Sequence, residues 1–217
     1  MKIAFLGDSI TLGYGLANRE ERYTTKVSKL LGAEEENFGI AGTLMARAGV
    51  NRSDGEDFLS RAHLVTDADV AVVFGGTNDY FWSDAPIAGT GEDRFAGAVE
   101  RLVAQITERR GDRLTLFVTP YPHNGIGNFE GGAHFQDASR HDTDARNYSG
   151  HTLGEYAAVI EDTCARYNVP CLSLFEDFGF RWQDHTLDGC HPNPEGHTLI
   201  ARAVVKKLQS LSLFEYC

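Results

Sequence analysis

The chain has 217 residues, of which 42% are hydrophobic and 24% charged, a composition typical of a globular protein with one core. Its 31 acidic and 20 basic residues give a formal charge of −11, which disfavours nucleic acid and anionic membranes as partners. No stretch approaches the ~18 apolar residues of a membrane span, and the opening MKIAFLGD lacks a secretory apolar region. We therefore expect a cytoplasmic protein whose cysteines are reduced.

The first part of the chain alternates short β-rich runs with helical segments. A strand is predicted at residues 2–6, followed by a helix at 21–31. A weaker strand at 36–38 precedes two helical pieces at 41–48 and 55–65.

The middle of the chain contains the clearest strand. The apolar run DVAVVF at residues 69–74 is typical of a strand that is buried on both faces. A helix at 94–110 and a strand at 113–119 follow it. The long irregular stretch from about 121 to 150 is predicted to be a loop or lid over one edge of the sheet.

The last part of the chain repeats the alternation with a helix at 151–167 and a strand at 170–174. A final helix begins after Asn193 as N-cap, with Pro194 in its first position. Five strands separated by helices predict a five-stranded parallel sheet with helices on both faces, in a single domain spanning residues 1–217.

Polar residues follow the predicted strands, at the edge where open α/β sheets bind ligands. These residues are Asp8 and Ser9 after the first strand, Gly39 and Gly42 after the second, Asn78 and Asp79 after the third, and Asp188 and His191 before the last helix. Each of them alone is most often a turn or capping residue. Together on one edge of a sheet, they indicate a catalytic site.

These residue types suit nucleophilic catalysis on an ester. A serine hydroxyl needs a base to take its proton, and His191 is the candidate base for Ser9. Asp188 could accept the Nδ1 proton of His191 and stabilise its charged form. The Ser9 N–H, the Gly39 N–H and the Asn78 amide could stabilise the oxyanion that forms.

The motifs GDSIT, NFGIAG, GGTND and DGCHP occur in the order found in the SGNH (GDSL) hydrolase family, which the chain resembles from Phe5 to about His197. The resemblance implies a flavodoxin-like three-layer α/β/α sandwich. It also implies a Ser–His–Asp mechanism through an acyl-enzyme, with no metal or cofactor. Cys190 stands where the family often has Leu or Val. The oxyanion glycine is assigned to Gly39 rather than Gly42 because Gly39 lies nearest the strand end.

Other classes of site fit less well. The segment GDSITLGYG lacks the lysine of a phosphate-binding P-loop and the glycine spacing of a dinucleotide site. The spacing of His123, His134, His141, His151 and His185 matches no compact metal motif. A non-catalytic module that binds an acyl group or a glycan stays open as an alternative.

The substrate is less well defined by the sequence than the reaction. Asp8 and Asp79, with the aromatic cluster Tyr80, Phe81 and Trp82, are candidate substrate-binding residues, although part of the cluster could be core. We expect a small-molecule ester carrying a short acyl group, such as acetyl, on a carbohydrate or small alcohol. A thioesterase or lysophospholipase acting on longer acyl chains is the alternative, and the sequence does not indicate an oligomeric state.

Overall fold

The computed structural model describes residues 1–46, 56–82, 86–123, 145–147, 149–176 and 178–211. Five strands form one parallel sheet in the order β2-β1-β3-β4-β5. The strands are β1 (Lys2–Gly7), β2 (Glu34–Gly39), β3 (Val70–Phe74), β4 (Thr115–Val118) and β5 (Cys171–Leu172). This confirms the parallel sheet expected from the sequence, although β2 is longer and β5 shorter than predicted.

The helices occupy both faces of the sheet. They are α1 (Ser9–Leu12), α2 (Tyr23–Leu30), α3 (Phe58–Arg61), α4 (Thr77–Trp82), α5 (Phe95–Arg110), α6 (Leu153–Arg166), α7 (Trp182–His185) and α8 (Pro194–Ser210). Single 3₁₀ turns lie at Arg19–Glu21 and Ala62–Val65. Asn193 caps α8 by accepting hydrogen bonds from the backbone N–H groups of Glu195 and Gly196, as the sequence predicted. Within the described ranges, none of these helices has the length and apolarity needed to cross a membrane.

Two hydrophobic clusters hold the helices against the sheet. Alternate residues of β1 point to opposite faces, so Ala4 and Leu6 belong to one cluster while Ile3 and Phe5 belong to the other. The first cluster packs against α3, α5 and α6, and the second against α2 and α8. Burial on both faces explains why the apolar run of β3 is continuous.

The prediction of a helix at 41–48 is wrong over the described residues 41–46, where the chain forms turns. The Asp79 carboxylate accepts hydrogen bonds from the backbone N–H groups of Met45 (3.0 Å) and Ala46 (2.9 Å). A buried side chain therefore satisfies backbone donors that a helix would have used. Residues 47 and 48 lie outside the described ranges.

The predicted loop or lid at about 121–150 falls mostly outside the described residues. Tyr121 and His123 at one end, and Ala145 and Asn147 at the other, are buried. The Tyr80 hydroxyl donates a hydrogen bond to the Ala145 carbonyl at 2.7 Å, which ties the second end to α4.

Candidate active site

Ser9 lies at a sharp turn from strand to helix. β1 ends at Gly7, and the Asp8 side chain caps α1 by accepting the N–H of Ile10 at 2.9 Å. A Cβ on Gly7 would lie 1.9 Å from Thr11 Oγ1, so only glycine allows the helix to fold back this closely on the strand. The turn places Ser9 at the carboxyl edge of the sheet, where Gly7 is paired with Gly39 of β2 and Phe74 of β3.

The structure brings Ser9, His191 and Asp188 into one hydrogen-bonded line. Ser9 Oγ lies 3.0 Å from His191 Nε2, and His191 Nδ1 lies 2.7 Å from Asp188 Oδ2. Since the Asp188 carboxylate can only accept, Nδ1 carries the proton and donates it, which leaves the Nε2 lone pair facing the Ser9 hydroxyl. Ser9 and His191 are 7% and 5% exposed, so the pair is largely shielded from water.

The loop that carries Asp188 and His191 is fixed by its own hydrogen bonds. Asp188 Oδ1 accepts the backbone N–H groups of Cys190 at 3.0 Å and His191 at 2.7 Å. Partial burial opposes ionisation of Asp188, but the hydrogen bonds and charge of His191 outweigh it and lower the pKa of Asp188 to about 2. Cys190 packs in the core, and its carbonyl accepts a hydrogen bond from the Tyr121 hydroxyl at 2.5 Å.

Three donors that could stabilise an oxyanion are present near Ser9. Asn78, in the first turn of α4, donates through Nδ2 to the Thr43 carbonyl at 3.0 Å, which leaves its second amide hydrogen for a ligand. The backbone N–H of Ser9 is at the first position of α1 and has no acceptor among the described residues. The backbone N–H of Gly42 likewise has no acceptor among the described residues. Gly42 has φ +78° and directly precedes Thr43.

The structure does not support Gly39 as the oxyanion donor, and this corrects the sequence-based assignment. The Gly39 N–H donates to Asn37 Oδ1 at 2.9 Å, so it is already occupied. A Cβ on Gly39 would lie 2.3 Å from the backbone nitrogen of Leu12. Gly39 therefore allows β2 to approach α1 closely, and Gly42 takes its place as the candidate donor.

Arg61 connects the parts of this site, and the sequence reasoning missed it. Its guanidinium donates to the carbonyls of Gly7 (3.3 Å) and Phe38 (2.6 Å) and to Thr43 Oγ1 (2.8 Å). Arg61 is 5% exposed, and its Nε donates to the Glu56 carbonyl at 2.8 Å. The guanidinium thus links Gly7 at the end of β1, Phe38 in β2 and Thr43, whose carbonyl orients the Asn78 amide. The sequence offered only a single arginine at this position, without a motif. A single arginine does not distinguish a buried linking residue from one on the surface.

The candidate substrate-binding residues at the start of α4 are buried in the core, not on an open surface. Tyr80, Phe81 and Trp82 are 0%, 2% and 6% exposed. Asp79 is fully buried against the 45–46 turn, and burial raises its pKa to about 7. Burial likewise raises the pKa of Asp8 to about 6. These five residues are as buried as Ser9 and His191 themselves, and a role for them in substrate binding stays a prediction.

Tyr14 is a second residue that the sequence reasoning missed. It lies between Gly13 and Gly15, which have φ values of +77° and +80°, and it is 53% exposed. Its ring centroid is 4.6 Å from that of His191. The repeated glycines in GYG were a signal of a tight turn, but only the fold places that turn beside His191.

Of the histidines considered as metal ligands, His134 and His141 lie outside the described residues, and His123, His151 and His185 lie within them. His123 is buried with its ring stacked on Phe81 at 5.2 Å, and His151 pairs with Glu155 at 3.1 Å. Over the part of the chain that the structure describes, no group of three or more His, Cys, Asp or Glu side chains could hold a metal ion.

Comparison with known proteins finds a matching family and similar structures. The family model of GDSL-like lipases and acylhydrolases matches residues 5–199. A crystal structure of a Lactobacillus plantarum protein is 29% identical, with 99% of this chain and 98% of that chain covered and a TM-score of 0.77.

More distant structures share the fold. A lipase/acylhydrolase from Enterococcus faecalis is 20% identical, covers 97% of this chain and 96% of its own, and has a TM-score of 0.64. Est24, a carbohydrate acetylesterase from Sinorhizobium meliloti, is 16% identical, covers 97% and 99%, and has a TM-score of 0.64. Comparison with curated proteins finds no match to this chain.

Proposed function

This chain belongs to the GDSL-like lipase/acylhydrolase family, and we propose that it is a serine esterase that cleaves a carboxylic ester through an acyl-enzyme. The observation that carries the proposal is the line of contacts from Ser9 Oγ to His191 Nε2 at 3.0 Å and from His191 Nδ1 to Asp188 at 2.7 Å. The base is within hydrogen-bond reach of the nucleophile on one side and of the orienting carboxylate on the other, as nucleophilic catalysis requires.

The first half of the reaction forms the acyl-enzyme. Ser9 Oγ attacks the ester carbonyl carbon while its proton passes to His191 Nε2. The carbonyl oxygen becomes an oxyanion, which accepts hydrogen bonds from the Asn78 amide and the backbone N–H groups of Ser9 and Gly42. Because Asp188 is ionised, it stabilises the imidazolium of His191 while the tetrahedral intermediate exists.

Loss of the alcohol completes the acyl-enzyme, and water then releases the acid in the second half. The imidazolium donates the proton on Nε2 to the leaving alkoxide, and the carbon–oxygen bond to the alcohol breaks. His191 is then neutral again and takes a proton from a water molecule, which attacks the acyl-enzyme carbonyl. Collapse of the second tetrahedral intermediate returns the proton to Ser9 Oγ and releases the carboxylic acid.

We propose a short acyl group, such as acetyl, on a carbohydrate or small alcohol as the substrate. The net charge of −11 disfavours binding to an anionic lipid surface, which supports a water-soluble substrate. The carbohydrate acetylesterase among the structural neighbours supports the same class, although at 16% identity that likeness concerns the fold.

An acyl chain-length series tests this proposal. We expect hydrolysis of p-nitrophenyl acetate and butyrate, with lower kcat/KM at longer chains. Ser9→Ala should lose nearly all turnover and keep the melting temperature of the wild type. Ser210→Ala is the matched control, because Ser210 is exposed at the end of α8 and donates only to the Lys207 carbonyl. Since each buried methylene is worth about 0.8 kcal/mol, a steep rise in kcat/KM from C2 to C8 would instead indicate the longer-chain alternative. Full activity in Ser9→Ala would overturn the assignment of the nucleophile.

A further inference from the structure

Two exposed apolar side chains flank the Ser9–His191 pair. Tyr14 is 53% exposed and Leu187 is 50% exposed. Leu187 packs against the residue that follows Tyr14, because a Cβ on Gly15 would lie only 2.7 Å from Leu187 Cδ1. We refer to Tyr14 and Leu187 together as the apolar rim. The core needs neither side chain, so their exposure calls for another explanation.

The apolar rim is fixed in place rather than carried on a loose loop. The N–H of Tyr14 donates to the Ser9 carbonyl at 2.9 Å, and the N–H of Leu187 donates to the His191 carbonyl at 2.7 Å. The two residues are therefore attached by backbone hydrogen bonds to the nucleophile and to the base. The Tyr14 ring lies over the His191 ring, with a centroid distance of 4.6 Å and an angle of 42° between the ring planes.

The position of the apolar rim indicates which half of the substrate it meets. The carbonyl oxygen of the ester faces the oxyanion donors around Asn78. The leaving oxygen must reach His191 Nε2, because that nitrogen delivers the proton on which departure depends. The alcohol attached to that oxygen therefore extends past the imidazole, and among the described residues the exposed ring of Tyr14 packs against that imidazole.

We infer that Tyr14 is a specificity residue that binds the alcohol half of the ester by stacking against a ring, so that acetic esters of cyclic alcohols such as sugars are preferred over open-chain ones. This inference rests on the proposed esterase function and names the substrate class of the same site. A tyrosine ring offers a flat apolar face to the C–H groups of a sugar ring, and its hydroxyl remains free to bond with water or with a sugar hydroxyl. The two flanking glycines, both with positive φ, hold the ring out from the turn.

Two primary acetates with a six-carbon sugar skeleton, one cyclic and one open-chain, test the inference. We would measure kcat/KM for methyl 6-O-acetylglucopyranoside and for a primary monoacetate of an open-chain hexitol. Tyr14→Ala is expected to lower the ratio of the cyclic to the open-chain value by roughly three- to tenfold, mainly through KM, because that is the size of one aromatic stacking contact. Tyr14→Phe keeps the ring face and should keep most of the ratio.

Tyr167→Ala is the matched control. Tyr167 is another exposed tyrosine, 39% exposed, but it lies at the end of α6, where its hydroxyl contacts Glu100 at 3.3 Å. It should leave both kcat/KM values at the wild-type level. If Tyr14→Ala lowers kcat equally on both esters, Tyr14 only orients His191, and the inference is overturned. An unchanged ratio overturns it as well.

A binding measurement separates this inference from the proposed reaction. In Ser9→Ala protein, which cannot form an acyl-enzyme, methyl glucopyranoside is titrated and followed by NMR shifts of the protein. We expect saturable shifts that Ser9→Ala/Tyr14→Ala loses. If the wild type releases no acetate from either ester, the proposed substrate fails, but the titration still decides whether Tyr14 binds a sugar ring. Identical shifts in the two variants would refute that binding.

Discussion

The side-chain amide of Asn78 donates a hydrogen bond to the backbone carbonyl of Thr43 at 3.0 Å. This contact joins the first turn of α4 to the loop after β2 and fixes the rotation of the amide. The nitrogen must face Thr43, since a carbonyl oxygen can only accept. One amide hydrogen is used in this contact, and the other is left for the oxyanion of a substrate.

Asn78→Ala should therefore lower kcat by about 10²–10³-fold, as removal of one oxyanion donor typically does. Asn78→Asp should lower it further, because a carboxylate would place negative charge next to the oxyanion. Steady-state kinetics with p-nitrophenyl acetate measures both, and the melting temperature serves as the folding control. A loss of only two- to threefold in folded Asn78→Ala would assign the residue to structure alone.

Arg61 is expected to be a positioning residue for the same oxyanion site. Arg61→Ala removes the donor that holds Thr43 Oγ1 and the Gly7 and Phe38 carbonyls together, so kcat should fall by up to about 10²-fold through misplacement of Asn78 and Ser9. Guanidinium ions at low, non-denaturing concentration should restore part of the kcat of Arg61→Ala. Arg61→Lys should stay impaired because an ammonium cannot reproduce the planar fork.

The rescue distinguishes positioning from general loss of stability. A merely destabilised variant would lose activity in proportion to its unfolded fraction, and guanidinium would make it worse. Wild-type kcat in Arg61→Ala would contradict the proposed linkage through Thr43.

Gly39→Ala tests whether this glycine serves packing. The added Cβ would lie 2.3 Å from the Leu12 nitrogen and 2.7 Å from the Thr11 carbonyl carbon, so the backbone of α1 must shift. We expect a loss of about 1–3 kcal/mol in the free energy of unfolding and a lower kcat, because α1 carries Ser9. Gly154→Ala is the control, since in the first turn of α6 its Cβ would meet no atom closer than Phe175 Cε1 at 3.4 Å, an ordinary contact distance. Wild-type stability and kcat in Gly39→Ala would show that the close approach is not required.

The buried carboxyl group of Asp79 should make stability depend on pH. Burial raises its pKa to about 7 in the folded protein, from 3.8 for an ordinary aspartate. Between these values Asp79 binds fewer protons in the unfolded chain than in the folded one, so its contribution to stability is largest near pH 4 and falls as pH rises toward 7. We expect this contribution to lower the free energy of unfolding by roughly 2–4 kcal/mol across that window. Buried His197, whose pKa burial lowers to about 3, contributes a slope of the opposite sign between about pH 3 and 6.5.

Urea unfolding at several pH values between 4 and 8 measures this dependence. Asp79→Asn should remove the contribution of Asp79, so its free energy of unfolding should fall less, or rise more, with pH than that of the wild type. The slopes of Asp8, of the same sign as that of Asp79, and of His197, of the opposite sign, remain in both proteins. The variant should be less stable near pH 4, since an amide offers only one acceptor to the N–H groups of Met45 and Ala46, and the difference should shrink toward pH 8. Asp67→Asn, at an exposed position, should leave the wild-type slope. An equally steep slope in Asp79→Asn would rule out Asp79 as its source.

The long elements and the sheet could be predicted from the sequence because they follow from local patterns. The apolar run of β3, the periodicity of α5 and the capping sequence Asn193-Pro194 are each written in consecutive residues. The short helices α1 and α4 were missed, because four to six residues carry too little periodicity to separate a helix from a turn.

The sequence by itself determined the parallel sheet, the family and the approximate positions of Ser9, Asn78, Asp188 and His191, since strand ends and short motifs specify these. Only the tertiary structure decided which donors are free and which side chains face solvent. The Gly39 N–H is occupied by Asn37, the aromatic residues of α4 are buried, Arg61 reaches the site from a distant segment, and Tyr14 packs against the distant His191. Burial and the contacts of Arg61 and Tyr14 join residues far apart in the chain, and the bond between Gly39 and Asn37, although local, depends on the backbone conformation at the strand end, which the residue pattern does not specify.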